Sequence, residues 1–239
     1  MRFIFDKEEK FQGKDLLAGF HGLGRVGYLV VRHIGEETGV KRIGIVIPED
    51  GFPPFISLKE RMIIFPFEIY AKENFVSLVT HFQPYHHQHQ FAESLVDWIS
   101  EAGFRRVFLA GGVDARLKKV SQGDIRYVPT SKFPSEGASF ETALLEPGLL
   151  VAGPLALTLG FCELRGIPAI AILAYADPIR PDPFAASVVI KDLTRFIGVD
   201  VDTTRLIEDA ARIERELEET RLQSQEDKGE PSDLRRTYI

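Results

Sequence analysis

Cysteine is almost missing from this chain: Cys162 is the only one in 239 residues. A disulfide within the chain is therefore impossible, and a cysteine-based zinc site is ruled out in practice. Asparagine is as scarce, with Asn74 alone, a composition found in heat-stable proteins. There is no basic surplus. Lys and Arg number 29 against 35 Asp and Glu, for a net charge of -6, so a role centred on nucleic acid is disfavoured. No apolar run reaches the ~18–20 residues that a membrane helix needs. One of the long runs, Gly166 to Ala176, has the length of a buried strand. The first residues, MRFIFDKEEKF, carry charges inside every apolar run and do not read as a secretory signal. No G-x-S-x-G elbow is present. These absences lead us to expect a soluble, cytoplasmic protein that engages neither nucleic acid nor membrane.

What the chain does have is enough apolar content, 44%, for a buried core. Arg2 to Phe5 reads as an edge strand. Asp15 to Phe20 reads as a central strand, apolar on both faces. A helix follows from about Arg25 to Glu37, with Gly39 suited to its C′ position. Arg42 to Ile47 is the next strand and completes a βαβ unit. After Phe52-Pro53-Pro54 the pattern changes. Ile56 to Ile64, Phe67 to Ala71 and Phe75 to Thr80 have strand lengths with short turns between them, which points to an antiparallel insertion. Pro84 opens a helix with Phe91, Leu95, Trp98 and Ile99 on one face and Gly103 at its end. Arg105 to Ala110 is a core strand ended by Gly111-Gly112. Residues 113–148 lack periodicity around one strand at Ile125 to Val128. Then come a short strand at Leu149 to Val151, a helix from Gly153-Pro154 to Leu164, a strong strand at Ala169 to Tyr175, a helix from Phe184 to Ile197, and a long helix from Asp202 to Gln225. The pattern predicts a three-layer α/β/α domain on a mixed, largely parallel sheet over residues 1–200, a C-terminal helix over 201–225, and a flexible polar tail over 226–239.

Gly22, Gly24 and Gly27 have the spacing G-x-G-x-x-G between a strand and a helix, the textual fingerprint of a dinucleotide loop. Glu49 and Asp50, just past the next strand, could take a ribose hydroxyl. The alternative is structural: glycines let a strand and a helix pack closely and allow a turn at positive φ. Because an antiparallel stretch follows where a second mononucleotide half should be, the structural hinge is preferred. No cofactor is expected, and nucleotide or nucleoside binding by Gly22, Gly24 and Gly27 is the alternative. His81, His86, His87 and His89 cluster around Pro84, with Glu93 one turn beyond His89. A metal site is conceivable there, but a polar first helical turn explains the same residues, and no metal is expected. Cys162, among Leu159, Phe161 and Leu164, is expected to be buried as a small hydrophobe rather than to act as a nucleophile. No catalytic residue is assigned. The last residues, Arg235-Arg236-Thr237-Tyr238-Ile239, place an aromatic side chain and a free carboxylate on a polar tether, a form suited to docking in a partner's pocket.

Several stretches together resemble one family. They are Gly19-Phe20-His21-Gly22-Leu23-Gly24-Arg25-Val26-Gly27, Phe108-Leu109-Ala110-Gly111-Gly112, Gly153-Pro154-Leu155-Ala156 through Arg165-Gly166-Ile167-Pro168-Ala169, Tyr175 to Pro183, and Gly198-Val199-Asp200-Val201-Asp202 between the closing helices. In this order and spacing the chain resembles the archaeal-type proteasome assembly chaperones, from about Asp15 to Glu219. The resemblance implies a phosphorylase-like α/β fold without an established catalytic site. It also implies homo-oligomers, or pairing with a paralogue, that act without ATP and bind proteasome α-subunits. Some members of that family carry a C-terminal hydrophobic–Tyr–X tail that enters pockets between α-subunits. Tyr238 and Ile239 match Tyr and X, and Thr237 stands at the hydrophobic position. Thr237, Tyr238 and Ile239 are thus the expected partner-binding residues.

Overall fold

A computed structural model of the chain describes residues 1–49, 56–59, 61–84, 87–119, 123–134, 143–213 and 215. Strand β2 (Asp15–Gly19) lies in the middle of its sheet and is buried throughout. Its alternation explains why every position is apolar after Asp15. Leu16 and Ala18 enter one core and Leu17 the other, so neither face meets water. β2 is flanked in parallel by β7 (Phe75–Thr80) and β8 (Arg106–Asp114). β8 pairs in parallel with β10 (Ala169–Ala176), and β9 (Ile125–Pro129) closes that edge antiparallel to β10. On the other side, β6 (Phe67–Ala71) is antiparallel to both β7 and β3 (Lys41–Ile47), and β1 (Arg2–Phe5) is antiparallel to β3. The result is an eight-stranded, mixed, largely parallel sheet in the order β1-β3-β6-β7-β2-β8-β10-β9.

Helices cover both faces. α2 (Gln88–Ala102) and α3 (Gly153–Leu164) pack together on one face, and Leu95, Ile99, Leu159 and Cys162 join the core beneath them. On the other face α1 (Val26–Thr38) lies over β7, β2 and β8, and α4 (Pro183–Ile197) over β8 and β10. The expected three-layer α/β/α class is the observed one. A fifth helix, α5, covers residues 204–213. It starts where Asp202 Oδ1 accepts hydrogen bonds from the Thr204 N–H and hydroxyl. The expected continuation to Gln225 and the tail over 226–239 fall outside the described residues.

Several expectations need correcting. Gly111-Gly112 does not end β8, because both glycines stay in the ladder opposite Leu173 and Ala174. They are there for close approach: a Cβ on Gly111 would sit 2.6 Å from Leu155 Cδ1, and one on Gly112 would sit 2.7 Å from the Leu23 carbonyl oxygen. β2 and β3 run the same way, but the β6–β7 hairpin stands between them, so the βαβ unit does not join neighbours. The run from Ile56 is a separate two-stranded hairpin, β4 (Ser57–Lys59) with β5 (Met62–Ile64), reversed at Arg61 with φ 70°. α2 begins four residues after Pro84, because His87 is left-handed at φ 56°. Residues 149–151 are not a strand: Leu149 and Val151 reach the core and Leu150 is exposed, an alternation met without a ladder.

Candidate functional site

In α/β sheets of this kind, ligands and partners meet the carboxyl ends of the parallel strands. Here those ends belong to β2, β7, β8 and β10. After Gly19 the chain turns through a 3-10 segment, Leu23–Arg25, into α1. Thr80 at the end of β7 donates from Oγ1 to the Gly19 carbonyl at 2.7 Å, and Gln83 Oε1 accepts from the His21 N–H at 2.9 Å. Gly24 and Arg25 are both left-handed, with φ 60° and 49°. A Cβ on Gly27 would lie 2.4 Å from the Ala110 carbonyl oxygen, and one on Gly19 only 2.0 Å from the Gly27 carbonyl oxygen. A Cβ on Gly24 would meet Ala176 Cβ at 2.8 Å, and the Gly24 carbonyl accepts from the Asp182 N–H at 2.8 Å. Packing of α1 onto β2, β8 and the end of β10 therefore accounts for the glycine at Gly24 and Gly27. Gly22 has nothing within 4 Å of a would-be Cβ. Glu49 Oε1 accepts from the Met1 amino group at 3.3 Å, and Asp50 lies outside the described residues.

Beside this turn is a polar network that no sequence motif announces. Glu68 on β6 has no exposed surface. Its Oε1 accepts from Arg42 Nη1 at 2.6 Å and from the Phe65 N–H at 3.1 Å. Its Oε2 accepts from the Tyr70 hydroxyl at 2.7 Å and from His81 Nε2 at 3.0 Å. With the His81 proton on Nε2, Nδ1 can accept from the Tyr28 hydroxyl 3.5 Å away. The His21 ring packs on Tyr28 with centroids 4.5 Å apart, and its buried Nε2 has no partner among the described residues. Burial alone would raise the Glu68 carboxyl. The bonds from His81, Tyr70, the Phe65 N–H and Arg42 outweigh it and hold the group at about 2. Glu68 is thus a fixed anion at neutral pH that ties β3, β6, β7 and, through Tyr28, α1 together. Burial and the same anion push the Tyr70 hydroxyl up. Burial, with Arg25 nearby, pushes His21 down. The only hint in the sequence was a lone carboxylate in the apolar run Phe65-Pro66-Phe67-Glu68-Ile69-Tyr70.

The candidate metal residues do not converge. His81 is bound to Glu68, His87 stands at the N-cap position of α2 without a side-chain capping bond, and His86 lies outside the described residues. His89 and Glu93 face each other at 4.0 Å on an exposed surface. No group of three or more His, Cys, Asp or Glu among the described residues could hold a metal ion. Cys162, on the inner side of α3, is fully buried, and burial pushes its thiol up to about 12. It should resist a thiol reagent in the native protein and react with one equivalent once the chain is unfolded in guanidinium, which absorbance at the released thiolate would check. The expected partner-binding residues Thr237, Tyr238 and Ile239 lie outside the described residues. No helix among the described residues is long and apolar enough to cross a membrane.

The model of the PAC2 family matches residues 16–221. The chain belongs to the PAC2 family. The expected resemblance to proteasome assembly chaperones, drawn from the order of its glycine and proline motifs, is borne out. This PAC2 chain is similar in structure to Pyrococcus furiosus PbaA, described as an archaeal homologue of proteasome-assembly chaperone, with a TM-score of 0.78 and 22% identity over 95% of this chain and 94% of that one. It is also similar to Pyrococcus furiosus PbaB, an archaeal proteasome activator, with a TM-score of 0.74 and 21% identity over 92% and 98% of the two chains. In sequence it is 24% identical over 92% of its length, and 90% of the relative's, to an uncharacterized protein of Methanocaldococcus jannaschii.

Proposed function

We propose that this protein is an ATP-independent proteasome assembly chaperone homologue, not an enzyme. In this reading it binds proteasome α-subunits through an oligomeric body, made of its own copies or pairing with a paralogue, and through the C-terminal residues Thr237, Tyr238 and Ile239. The supporting observation is the PAC2 match across 16–221, joined to a fold shared with PbaA and PbaB over more than nine tenths of each chain. The Glu68 network is consistent with it, since a saturated, low-pKa carboxylate is suited to holding strands together rather than to moving protons. The segment from Glu226 to Ile239 could span at most ~45 Å at ~3.3 Å per residue, enough to let a seated body place its tail in a separate pocket. Several tails on one oligomer would add avidity through their high effective concentration.

The test is a pull-down of proteasome α-subunits with the full-length chain and with a chain ending at Arg236. Full-length protein should retain α-subunits, and the shortened chain should retain at least ~10-fold less, the loss expected when an avid element is removed. No retention by the full-length chain would overturn the reading. Equal retention by both would overturn the part given to Tyr238.

A further inference from the structure

Helix α3 is apolar all round, yet one side of it meets water. Its single charged residue is Glu163, which turns sideways to accept from the Ser131 N–H and hydroxyl, each at 2.7 Å. Leu155, Thr158, Leu159 and Cys162 make up the buried side. The helical period puts Leu157, Gly160, Phe161 and Leu164 on the opposite side. Leu164 is 80% exposed, Gly160 is exposed, and Leu157 and Phe161 are only partly buried. A helix with no polar side is normally covered. Gly160 adds a second cost. It sits inside the helix, where glycine is less stable than alanine. Its φ is not positive, and nothing lies within 4 Å of a Cβ built there. Neither strain nor packing within the chain calls for a glycine at this position, which leaves close approach from outside.

A row of carboxylates runs beside this stripe. α2 carries Glu93, Asp97 and Glu101 at four-residue spacing and has no Lys or Arg. The His89 ring packs on Phe161 with centroids 4.9 Å apart, and Arg165 Nη2 lies 2.5 Å from Asp97 Oδ1 and 3.9 Å from Glu93 Oε1. Row and stripe therefore share one surface. The row works against α2 itself, because like charges four residues apart repel and Glu101 stands in the last turn, where the macrodipole favours a cation. Arg165 offsets Glu93 and Asp97 only. Glu101 has no ion pair among the described residues.

We propose that the α2–α3 face is the docking site for a basic amphipathic helix of a different protein. The apolar ridge of that helix lies on Leu157, Phe161 and Leu164 and passes close to the backbone at Gly160. Its Lys or Arg flank meets Glu93, Asp97 and Glu101. Charge selects this occupant. A second copy placed here by a twofold axis would set one carboxylate row against the other, and an anionic membrane surface would be repelled. A cationic helix relieves all three costs together: it covers Leu164, uses the gap at Gly160 and neutralises the row. The surface is separate from the C-terminal element proposed above and does not rest on it.

The probe is a labelled synthetic helix of about 18 residues with a Leu stripe at helical spacing and Lys along one flank, titrated by fluorescence anisotropy against the full chain. The wild type should bind it in the micromolar range, and more weakly as salt screens the charges. Gly160→Gln should weaken binding at least ~10-fold while raising the thermal midpoint by about 1–3 °C, since a better helix former closes the gap without harming the fold. Leu164→Ser should weaken binding by a similar factor. Ile179→Ser, at a residue 88% exposed elsewhere, and a chain ending at Arg236 should both bind as the wild type does. The same peptide with Glu in place of Lys should not bind. No binding by the wild type, equal affinity of the wild type and Gly160→Gln, or equal affinity for the two peptides would each overturn the proposal. So would a multi-chain mass in solution that Gly160→Gln reduces, because a second copy would then be the occupant.

Discussion

Glu68→Gln is expected to destabilise the protein by about 3 kcal/mol, the low end for removing one partner of a buried ion pair. The low end applies because Arg42 keeps 27% of its side chain exposed and can turn partly to water, whereas the carboxylate has no exposure at all. Chemical denaturation of the two proteins measures the difference. The pH dependence should carry the same signature. A folded-state value of about 2 against an ordinary 4.5 means that the fold favours the ionised carboxylate. That stabilisation is therefore fully present above the unfolded-state value and is lost as pH falls through the window from about 5 to about 2. Integrated over that shift, the linkage amounts to roughly 3 kcal/mol. The wild type should lose stability steeply across the window and the variant should lose less. Parallel curves for the two proteins would show that Glu68 does not control acid stability.

Gly27→Ala is the more severe change. One methyl group would lie 2.4 Å from the Ala110 carbonyl oxygen and 2.7 Å from the Phe20 nitrogen, both backbone atoms of central strands or their ends. No rotamer can relieve that contact, so α1 would have to lift from the sheet and open the core that Val26, Val30 and Ile34 fill against Leu17 and Phe108. A cost above ~4 kcal/mol is expected, enough to remove most soluble protein. Gly22→Ala, with open space at the same test position and φ -103°, should stay within ~0.5 kcal/mol of wild type. Thermal unfolding and soluble yield of the pair read the contrast. A dinucleotide loop would need both glycines for a ligand, so the two substitutions also separate packing from cofactor binding. Equal tolerance of both would remove the packing account of the motif.

Much of the fold could be read locally. Asp15 to Gly19 announced a doubly buried strand because each residue meets a core whichever way it points. Gly39 and Gly103 marked helix ends because each adopts the left-handed conformation there. The misses came from partners distant in sequence. Gly111-Gly112 looked like a stop because the Leu23 carbonyl and Leu155 side chain that require them cannot be seen from their neighbours. Glu68 was overlooked because its partners come from β3, β7 and the residues around β6, and only the sheet order brings them together. The β2–α1–β3 segment read correctly as parallel strands, but nothing in it reveals that two strands are inserted between them. The partner-binding residues at the C-terminus were chosen by resemblance and lie beyond what the structure describes.

The position of β2 also sets the order in which this protein can be built. Leu16 finds one neighbour in Val76 and the other in Val107, ~60 and ~90 residues downstream. At ~5–20 residues per second, a ribosome needs roughly 5–20 s between releasing the centre of the sheet and releasing its last partner. During that interval the β6–β7 hairpin can form by itself, since its register joins residues close in the chain. A strand that is buried on both faces cannot yet be closed on both sides. Synthesis of this chain thus includes a timed window of vulnerability, and codon-dependent slowing before Val107 would lengthen it where slowing after Ala176 would not.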